Sequence, residues 1–160
     1  MKQDITWRKA KQADLPEVHD MLHHYVQLER SKYDPTMFVH WAASRTGHNY
    51  LSNRLRGNNH FFIVAEYNQK VRGFLIGSAA HRSEARRPAK SGKVEVLYVR
   101  RHFRGQGLGS LMIRAFDAWC RKKGIGHVSI MVSAKNRKAA EVYRHLGFRE
   151  YNFILEKELT

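Results

Sequence analysis

Cysteine, proline, acidic residues and long apolar runs are all scarce in this chain of 160 residues. The one cysteine, Cys120, excludes an intrachain disulfide and favours a reducing compartment. The three prolines mark no linker, and no stretch approaches the roughly 18 apolar residues that a membrane-spanning helix needs. No secretory signal pattern is visible near Met1. We therefore expect one cytoplasmic domain over residues 1–160, without a membrane partner.

Basic residues far outnumber acidic ones, with 29 Lys and Arg against 14 Asp and Glu, so the formal net charge is +15. Apolar residues make up 42% of the chain, which is enough for a folded core. Such a positive surface favours anionic partners: a nucleotide cofactor, a nucleic acid or an anionic membrane. A basic nucleic-acid- or ribosome-associated binding module is therefore an open alternative, although no RNA-binding signature with interleaved aromatic residues is present.

The spacing of apolar residues predicts the element order β-α-α-β-β-β-α-β-α-β. Strands are predicted at residues 5–9, 61–65, 71–78, 93–99 and 127–132, with one or two closing strands within 148–159. Helices are predicted from Asp14, from Asp34 to Gly47 or Gly57, and over residues 108–123 and 136–146. The strands around residues 68–70 should form an antiparallel hairpin. We expect an α/β (α+β) fold: a mixed, mostly antiparallel sheet of six to seven strands flanked by about four helices.

A glycine-rich turn joins the predicted strand at 93–99 to the helix at 108–123. Its glycines let the backbone turn tightly and let a ligand approach closely. The first N–H groups of a helix have no internal partner and, with the helix dipole, favour a phosphate group. Arg100, Arg101 and Arg104 lie at the same turn and should strengthen phosphate binding. The competing interpretation is a tight structural connection with a basic rim.

Two common phosphate motifs do not explain this turn. A Walker loop is excluded because no Gly-Lys-Ser/Thr follows the glycines. The dinucleotide fingerprint nearly matches Gly105-x-Gly107-x-x-Ser110, but it requires an acidic residue about 20 positions later. The next predicted strand ends Ile130-Met131-Val132-Ser133, without an acid.

A second segment forms a different pattern together with the glycine turn. The segment begins at a predicted helix start and ends where a glycine stops the helix. It reads Asn136-x-x-Ala139-x-x-x-Tyr143-x-x-x-Gly147-Phe148. With Arg104-x-x-Gly107-x-Gly109 before it, the chain resembles the GNAT superfamily of N-acetyltransferases, which use acetyl-coenzyme A. The resemblance is specific over residues 93–150, where 95–99 resembles the family's fourth strand. It implies a single-domain GNAT fold with acceptor-side helices over 14–57 and a coenzyme-binding core over 93–150.

The resemblance also implies roles for particular residues toward the coenzyme. The pantetheine arm would lie beside Leu97, Tyr98 and Val99, as an extra strand would. The pyrophosphate would sit on backbone amides, with Arg104 nearby and Asn136 facing the coenzyme. Those amides belong to Gly105, Gln106, Gly107, Leu108, Gly109 and Ser110.

Two residues are the candidates for acid–base chemistry. A lysine-like amine, with a pKa of about 10.4, must lose its proton before it attacks a thioester. Glu95 would accept that proton, directly or through water, if burial raises its pKa. Otherwise Glu95 is a solvated strand residue, or a partner of Lys93 or of a nearby Arg. Tyr143 would stand near the thioester sulfur and protonate the departing thiolate; otherwise it is a packed aromatic residue.

Two further residue types are assigned no catalytic role. Cys120 is expected to be a packed thiol rather than a nucleophile. The adjacent His23 and His24 cannot share a helix face, and no Cys/His spacing matches zinc, so we expect no metal.

The expected activity is acetyl transfer from acetyl-CoA to a primary amine by direct attack in a ternary complex. A small amine, an amino acid and a protein amine all stay open as acceptors. Polyamines rank lower because the acceptor region carries few acids, namely Glu29, Asp34 and Glu84. We leave a homodimer and a nucleic acid open as further partners.

Overall fold

The computed structural model of the chain describes residues 4–159, in which four α-helices and five β-strands occur. Their bounds are β1 (Ile5–Lys9), α1 (Leu15–Lys32), α2 (Arg45–Arg56), β2 (His60–Tyr67), β3 (Lys70–His81), β4 (Lys90–Val99), α3 (Leu108–Lys122), β5 (Val128–Ile130) and α4 (Arg137–His145). The predicted α/β (α+β) class and the number of helices are confirmed. No helix among these is both long enough and apolar enough to cross a membrane.

The five strands form one mixed sheet in the order β1-β2-β3-β4-β5. Neighbouring strands are antiparallel as far as β4, and β4 pairs with β5 in parallel. The β2–β3 turn has positive φ angles at Asn68 (49°) and Gln69 (62°), which suit a two-residue hairpin loop. The predicted antiparallel hairpin is therefore confirmed.

Helices cover both faces of the sheet and give the chain two apolar cores. Alternate residues of a strand point to opposite faces, and β2 shows this directly. Phe62 and Val64 pack with α1 and α2, whereas Ile63 and Ala65 pack with α3. The inward stripe of α1 consists of Val18, Met21, Leu22 and Val26. That of α3 consists of Leu108, Met112, Ile113, Ala115, Phe116 and Cys120.

The predicted sheet of six to seven strands is wrong in its count. Residues 148–159, expected to supply closing strands, form none, and their apolar side chains from Tyr151 onward are exposed, with Phe153 at 85% and Leu155 at 94%. Alternating apolar residues favour an extended segment, but a strand also needs a neighbouring edge to satisfy its backbone hydrogen bonds. The adjacent β5 is only three residues long and offers little edge.

The second helix begins later than predicted. Residues 34–44 form turns, because the Asp34 carboxylate accepts a hydrogen bond from the Thr36 amide at 2.9 Å. Such a local side-chain bond competes with the helix. The helix starts after Ser44, whose hydroxyl oxygen accepts from the Gly47 amide at 3.3 Å. Gly57 ends it, at one of the two predicted positions.

Candidate active site

The sheet opens between β4 and β5. These strands pair only from Gly92 with Val128 to Val94 with Ile130. Beyond Val94, β4 continues to Val99 with β3 as its single described neighbour. The backbone of residues 95–99 therefore has a free edge, which can pair with another extended chain or with amide groups of a ligand.

Glu95 occupies an irregularity at the start of this free edge. Ile76 lies opposite Val96 and Gly77 lies opposite Val94, so Glu95 has no partner on β3. A β-bulge of this kind shifts the alternation of side chains along the strand. Val94 accordingly packs in the core with α3, whereas Val96 packs in the core with α1 and α2. The bulge turns Glu95 toward α2.

Hydrogen bonds hold the Glu95 carboxylate. The Tyr50 hydroxyl donates to Oε2 at 2.8 Å and Arg54 Nε donates to the same oxygen at 3.0 Å. His60 Nδ1 lies 3.9 Å from Oε1. Burial acts to raise the pKa of Glu95, but hydrogen bonds from Ser78, then Tyr50 and then Arg54 outweigh it and lower the pKa. The raised pKa on which the general-base role was made conditional is therefore not found, and the carboxylate is ionised at neutral pH.

The glycine turn lies beyond the end of β4. Gly105 and Gly107 have φ angles of +75° and +89°, which favour glycine. Gly109 differs, because its φ lies outside the left-handed region and an added Cβ would meet no atom within 4 Å. No packing or backbone constraint in the described chain therefore requires glycine at 109. A requirement there would come from a molecule that approaches the backbone closely.

The amides of this turn are free. Within residues 4–159, no N–H group of residues 105–110 donates to a chain acceptor, and Leu111 is the first to do so, to the Gly107 carbonyl at 2.9 Å. Successive free amides at a helix N-terminus favour an anion. Arg104 Nε donates to the Val99 carbonyl at 2.8 Å, and its guanidinium lies 5.4 Å from the Tyr98 ring centroid. Arg104 thus ties the turn to the end of the free edge.

Arg100 does not serve this turn as predicted. Its Nη2 atom donates to Glu17 and Asp20 of α1, at 2.7 Å in each case. The prediction that Arg100 strengthens phosphate binding is therefore wrong, because two carboxylates already balance its charge. Arg101 stays exposed beside the turn.

The predicted strand residues divide between the two faces of β4. Leu97 and Val99 are partly buried against the core under α3. Tyr98 is buried on the opposite face, where its ring centroid lies 6.5 Å from that of Tyr25 on α1. Leu97, Tyr98 and Val99 thus share a free backbone edge, whereas their side chains lie in different environments.

The second motif lies on α4. The side-chain oxygen of Asn136 accepts from the Ala139 amide at 3.2 Å and so caps the helix. Tyr143 is half-buried, with its ring centroid 5.9 Å from that of Phe148. Burial, and after it the nearby Glu29 carboxylate, raises the pKa of Tyr143 to about 12. The phenol therefore keeps its proton at neutral pH.

Tyr143 and Glu95 have different neighbours. The partners of Glu95 come from α2 and β2, whereas Tyr143 lies near α1. The α1 groups are Tyr25 and Glu29, which lie one turn apart on the same helix face. Glu29 was considered above only as one of the few acids of the acceptor region, and Tyr25 was not singled out. Their i, i+4 spacing was the available signal that they share a helix face.

Cys120 is a buried thiol on the inward face of α3, and burial raises its pKa to about 11. We expect a thiol reagent to label the native protein slowly and the denatured protein at once, because a buried, protonated thiol is a poor nucleophile. Absorbance of the released chromophore measures both rates. Native labelling as fast as denatured labelling would contradict this assignment.

Within residues 4–159, no group of three or more His, Cys, Asp or Glu side chains could hold a metal ion.

The chain matches a family model and sequence relatives. The model of the acetyltransferase (GNAT) family matches residues 15–148. An uncharacterized N-acetyltransferase of Methanocaldococcus jannaschii is 29% identical over 93 residues, which cover 58% of this chain and 41% of that protein. The thialysine N-epsilon-acetyltransferase of Sus scrofa is 35% identical over 57 residues, which cover 36% of this chain and 34% of that protein. The chain thus spans less than half the length of these two relatives.

Solved structures share the fold across nearly the whole chain. A mutant of a Bacillus halodurans protein has a TM-score of 0.86 at 16% identity, covering 97% of this chain and 99% of that one. A predicted acetyltransferase from Clostridium acetobutylicum with acetyl-CoA has a TM-score of 0.72 at 19% identity, covering 97% and 96%. An aminoglycoside N-acetyltransferase in complex with CoA has a TM-score of 0.73 at 18% identity, covering 99% and 97%. At these identities the likeness concerns the fold alone.

Proposed function

The chain belongs to the acetyltransferase (GNAT) family, and we propose that it transfers an acetyl group from acetyl-CoA to a primary amine by direct attack in a ternary complex. The observation that carries this proposal is the row of free amides at 105–110 next to the free edge of β4. Two similar folds are described with CoA or acetyl-CoA, which supports the same co-substrate here. Cys120 is buried and protonated, which argues against an acetylated enzyme and for direct attack.

Residues of β4, the glycine turn and α4 would hold the coenzyme. The free amides from Gly105 through Ser110 suit the pyrophosphate oxygens, and Arg104 adds a positive charge beside them. The open space at Gly109 fits a bound phosphate, because a side chain would occupy that position. The free edge at Leu97–Val99 can pair with the amides of the pantetheine arm. Asn136 would face the coenzyme from the start of α4.

Tyr143 and Glu95 would carry out the two proton transfers of the reaction. Bound acetyl-CoA supplies an activated acetyl group and a thiolate leaving group. The protonated phenol of Tyr143 would donate its proton to the sulfur. The ionised carboxylate of Glu95 would accept the proton of the amine through water. Its lowered pKa makes it a weak base, so its contribution should be smaller than that of Tyr143.

Replacing Glu95 by Gln should lower kcat/KM by about tenfold, less than the roughly 10²–10⁴-fold typical of a general base. Because the pKa of Glu95 lies below its usual value, the carboxylate stays ionised from pH 6 to 9. The pH profile over that range should therefore keep its shape in the variant. Steady-state rates across pH measure this. An unchanged rate would show that Glu95 is structural, and loss of an acidic limb would show that its pKa is raised.

A turnover screen across amine classes tests the proposed function. Acetyl-CoA is offered with amino acids, alkylamines, aminoglycosides and lysine-containing peptides; release of free thiol is recorded and products are identified by mass. We expect acetylated product with at least one class. If acetyl-CoA shows no binding by calorimetry and no amine is acetylated, the proposal is wrong.

A further inference from the structure

A cavity of about 300 Å³ lies where α2 and α3 end. Its walls come from the end of β1, the last turn of α2, the start of β2 and the end of α3. Trp119 forms an aromatic part of the wall, with its ring centroid 5.5 Å from that of Phe61, which also lines the cavity. This volume is large enough for a small organic molecule.

The cavity is separate from the glycine turn proposed to hold the coenzyme phosphates. The turn precedes the first residue of α3, Leu108, whereas the cavity lies beside Trp119 and Lys123 at the other end of that helix. At 1.5 Å per residue, α3 is about 20 Å long. A phosphate group bound at the glycine turn therefore leaves the cavity free.

The walls of the cavity are basic. Four cationic residues line it, and no Asp or Glu does so within the described part of the chain; the four are Lys9, Arg54, Arg56 and Lys123. Arg54 is already balanced, because its Nε atom donates to Glu95 at 3.0 Å. The other three form no ion pair within residues 4–159. They come from three different elements and meet at one concave surface.

Contacts of Lys123 place its ammonium group at the wall. The Nζ atom lies 5.1 Å from the centroid of the Trp119 ring and 3.5 Å from the Asn58 carbonyl oxygen, and both residues line the cavity. An ammonium group has three N–H donors, so further donors stay available to a ligand. The backbone amide of Asn58 donates to no backbone acceptor within residues 4–159 and adds another donor.

The ends of the two helices account for only part of this positive charge. The C-terminal end of a helix carries about half a negative charge, which favours cations in the last turn. Two helix ends therefore offset about one of the three cations that form no ion pair. About two positive charges are left over, which matches the charge of one phosphate group near neutral pH. A single carboxylate would balance only half of it.

We propose that this cavity is a second anion site, which binds a small phosphorylated molecule between Arg56, Lys123 and Lys9. The concave shape favours a small ligand over a nucleic-acid backbone, which needs an extended surface. The inference goes beyond the proposed function and does not depend on it. Arg54 belongs to the cavity wall and also holds Glu95, so the bound phosphate would lie one side chain away from the proposed proton acceptor.

The test uses pyrophosphate as the probe, titrated into the protein saturated with CoA and followed by two-dimensional NMR. The amide signals of Gly57 and Asn58 and the indole N–H signal of Trp119 should shift and saturate, since all three residues line the cavity. Sodium chloride at equal ionic strength should not shift them in this way.

Variants test the two exposed cations with the clearest role. Arg56→Gln and Lys123→Gln should each weaken pyrophosphate binding by about fivefold, the upper value for an exposed ion pair. The double variant should lose about 25-fold if the effects add. Lys70→Gln removes the same charge from an exposed position at the start of β3 and should have no effect. Thermal unfolding checks that every variant is folded.

Four outcomes overturn the inference. They are equal shifts with sodium chloride, undiminished binding by the double variant, an equal loss in Lys70→Gln, and displacement of pyrophosphate from these signals by duplex RNA. The last would assign the surface to a nucleic acid. Failure of the wild type to bind CoA contradicts the proposed function instead, and the three cavity signals still decide whether the second anion site exists.

Discussion

Replacing Gly109 by valine should weaken acetyl-CoA binding by at least about 100-fold. Hydrogen bonds to charged groups contribute roughly 1.5–3 kcal/mol each, and the valine side chain would separate the pyrophosphate from at least two amides of the turn. A loss of about 3 kcal/mol or more corresponds to at least about 100-fold in the dissociation constant. The fold should tolerate the change, because no atom lies within 4 Å of the added Cβ. Calorimetric titration with acetyl-CoA measures the effect.

Gly126→Val is the matched control for this experiment. Gly126 also has open space around its Cβ position and no left-handed φ, but it lies in the connection before β5. Its substitution should leave acetyl-CoA affinity unchanged. Gly107 is a poorer site for the test, because its φ of +89° would strain any other residue. Unchanged affinity in a folded Gly109→Val protein would contradict the assignment of the phosphate site.

Tyr143→Phe should lower kcat by about 100-fold and leave acetyl-CoA affinity near normal. The change keeps the ring and its packing on Phe148 and removes only the hydroxyl, which would protonate the departing thiolate. A general acid contributes roughly 10²–10⁴-fold, and a thiolate needs less help than an alkoxide because a thiol has the lower pKa. The lower end of that range is therefore expected. Steady-state rates and calorimetry on the same preparation measure the two effects.

The melting temperature of Tyr143→Phe distinguishes a catalytic role of Tyr143 from a structural one. The causes of the raised pKa of Tyr143 are burial and the Glu29 carboxylate, with no hydrogen bond among them, so loss of the hydroxyl should change the melting temperature little. Tyr67→Phe is the matched control, since Tyr67 packs on Phe103 with a centroid distance of 5.1 Å, away from α4. An unaltered kcat with a lowered melting temperature would make Tyr143 a core aromatic residue.

Features that depend on local backbone chemistry could be predicted from the sequence. The hairpin at Asn68 and Gln69, the turn at Gly105–Gly109 and the ends of α3 and α4 each depend on neighbours in the chain. Glycine, helix caps and apolar spacing report such features directly. The two motifs were enough to indicate the family, which the match over residues 15–148 then showed. The class of fold followed from the order of the elements.

Features that depend on partners from distant segments were decided only by the tertiary structure. Whether residues 148–159 form strands depends on a free sheet edge, which no local pattern encodes. Arg100 was assigned to the phosphate turn, but α1 supplies two carboxylates that bind it. The pKa of Glu95 depends on Ser78 of the neighbouring strand and on Tyr50 and Arg54, which lie more than 40 residues away in the chain. The pKa of Tyr143 on α4 is raised in part by Glu29 on α1, which is far away in the chain. Electrostatic interactions depend on distance in space rather than on separation in sequence.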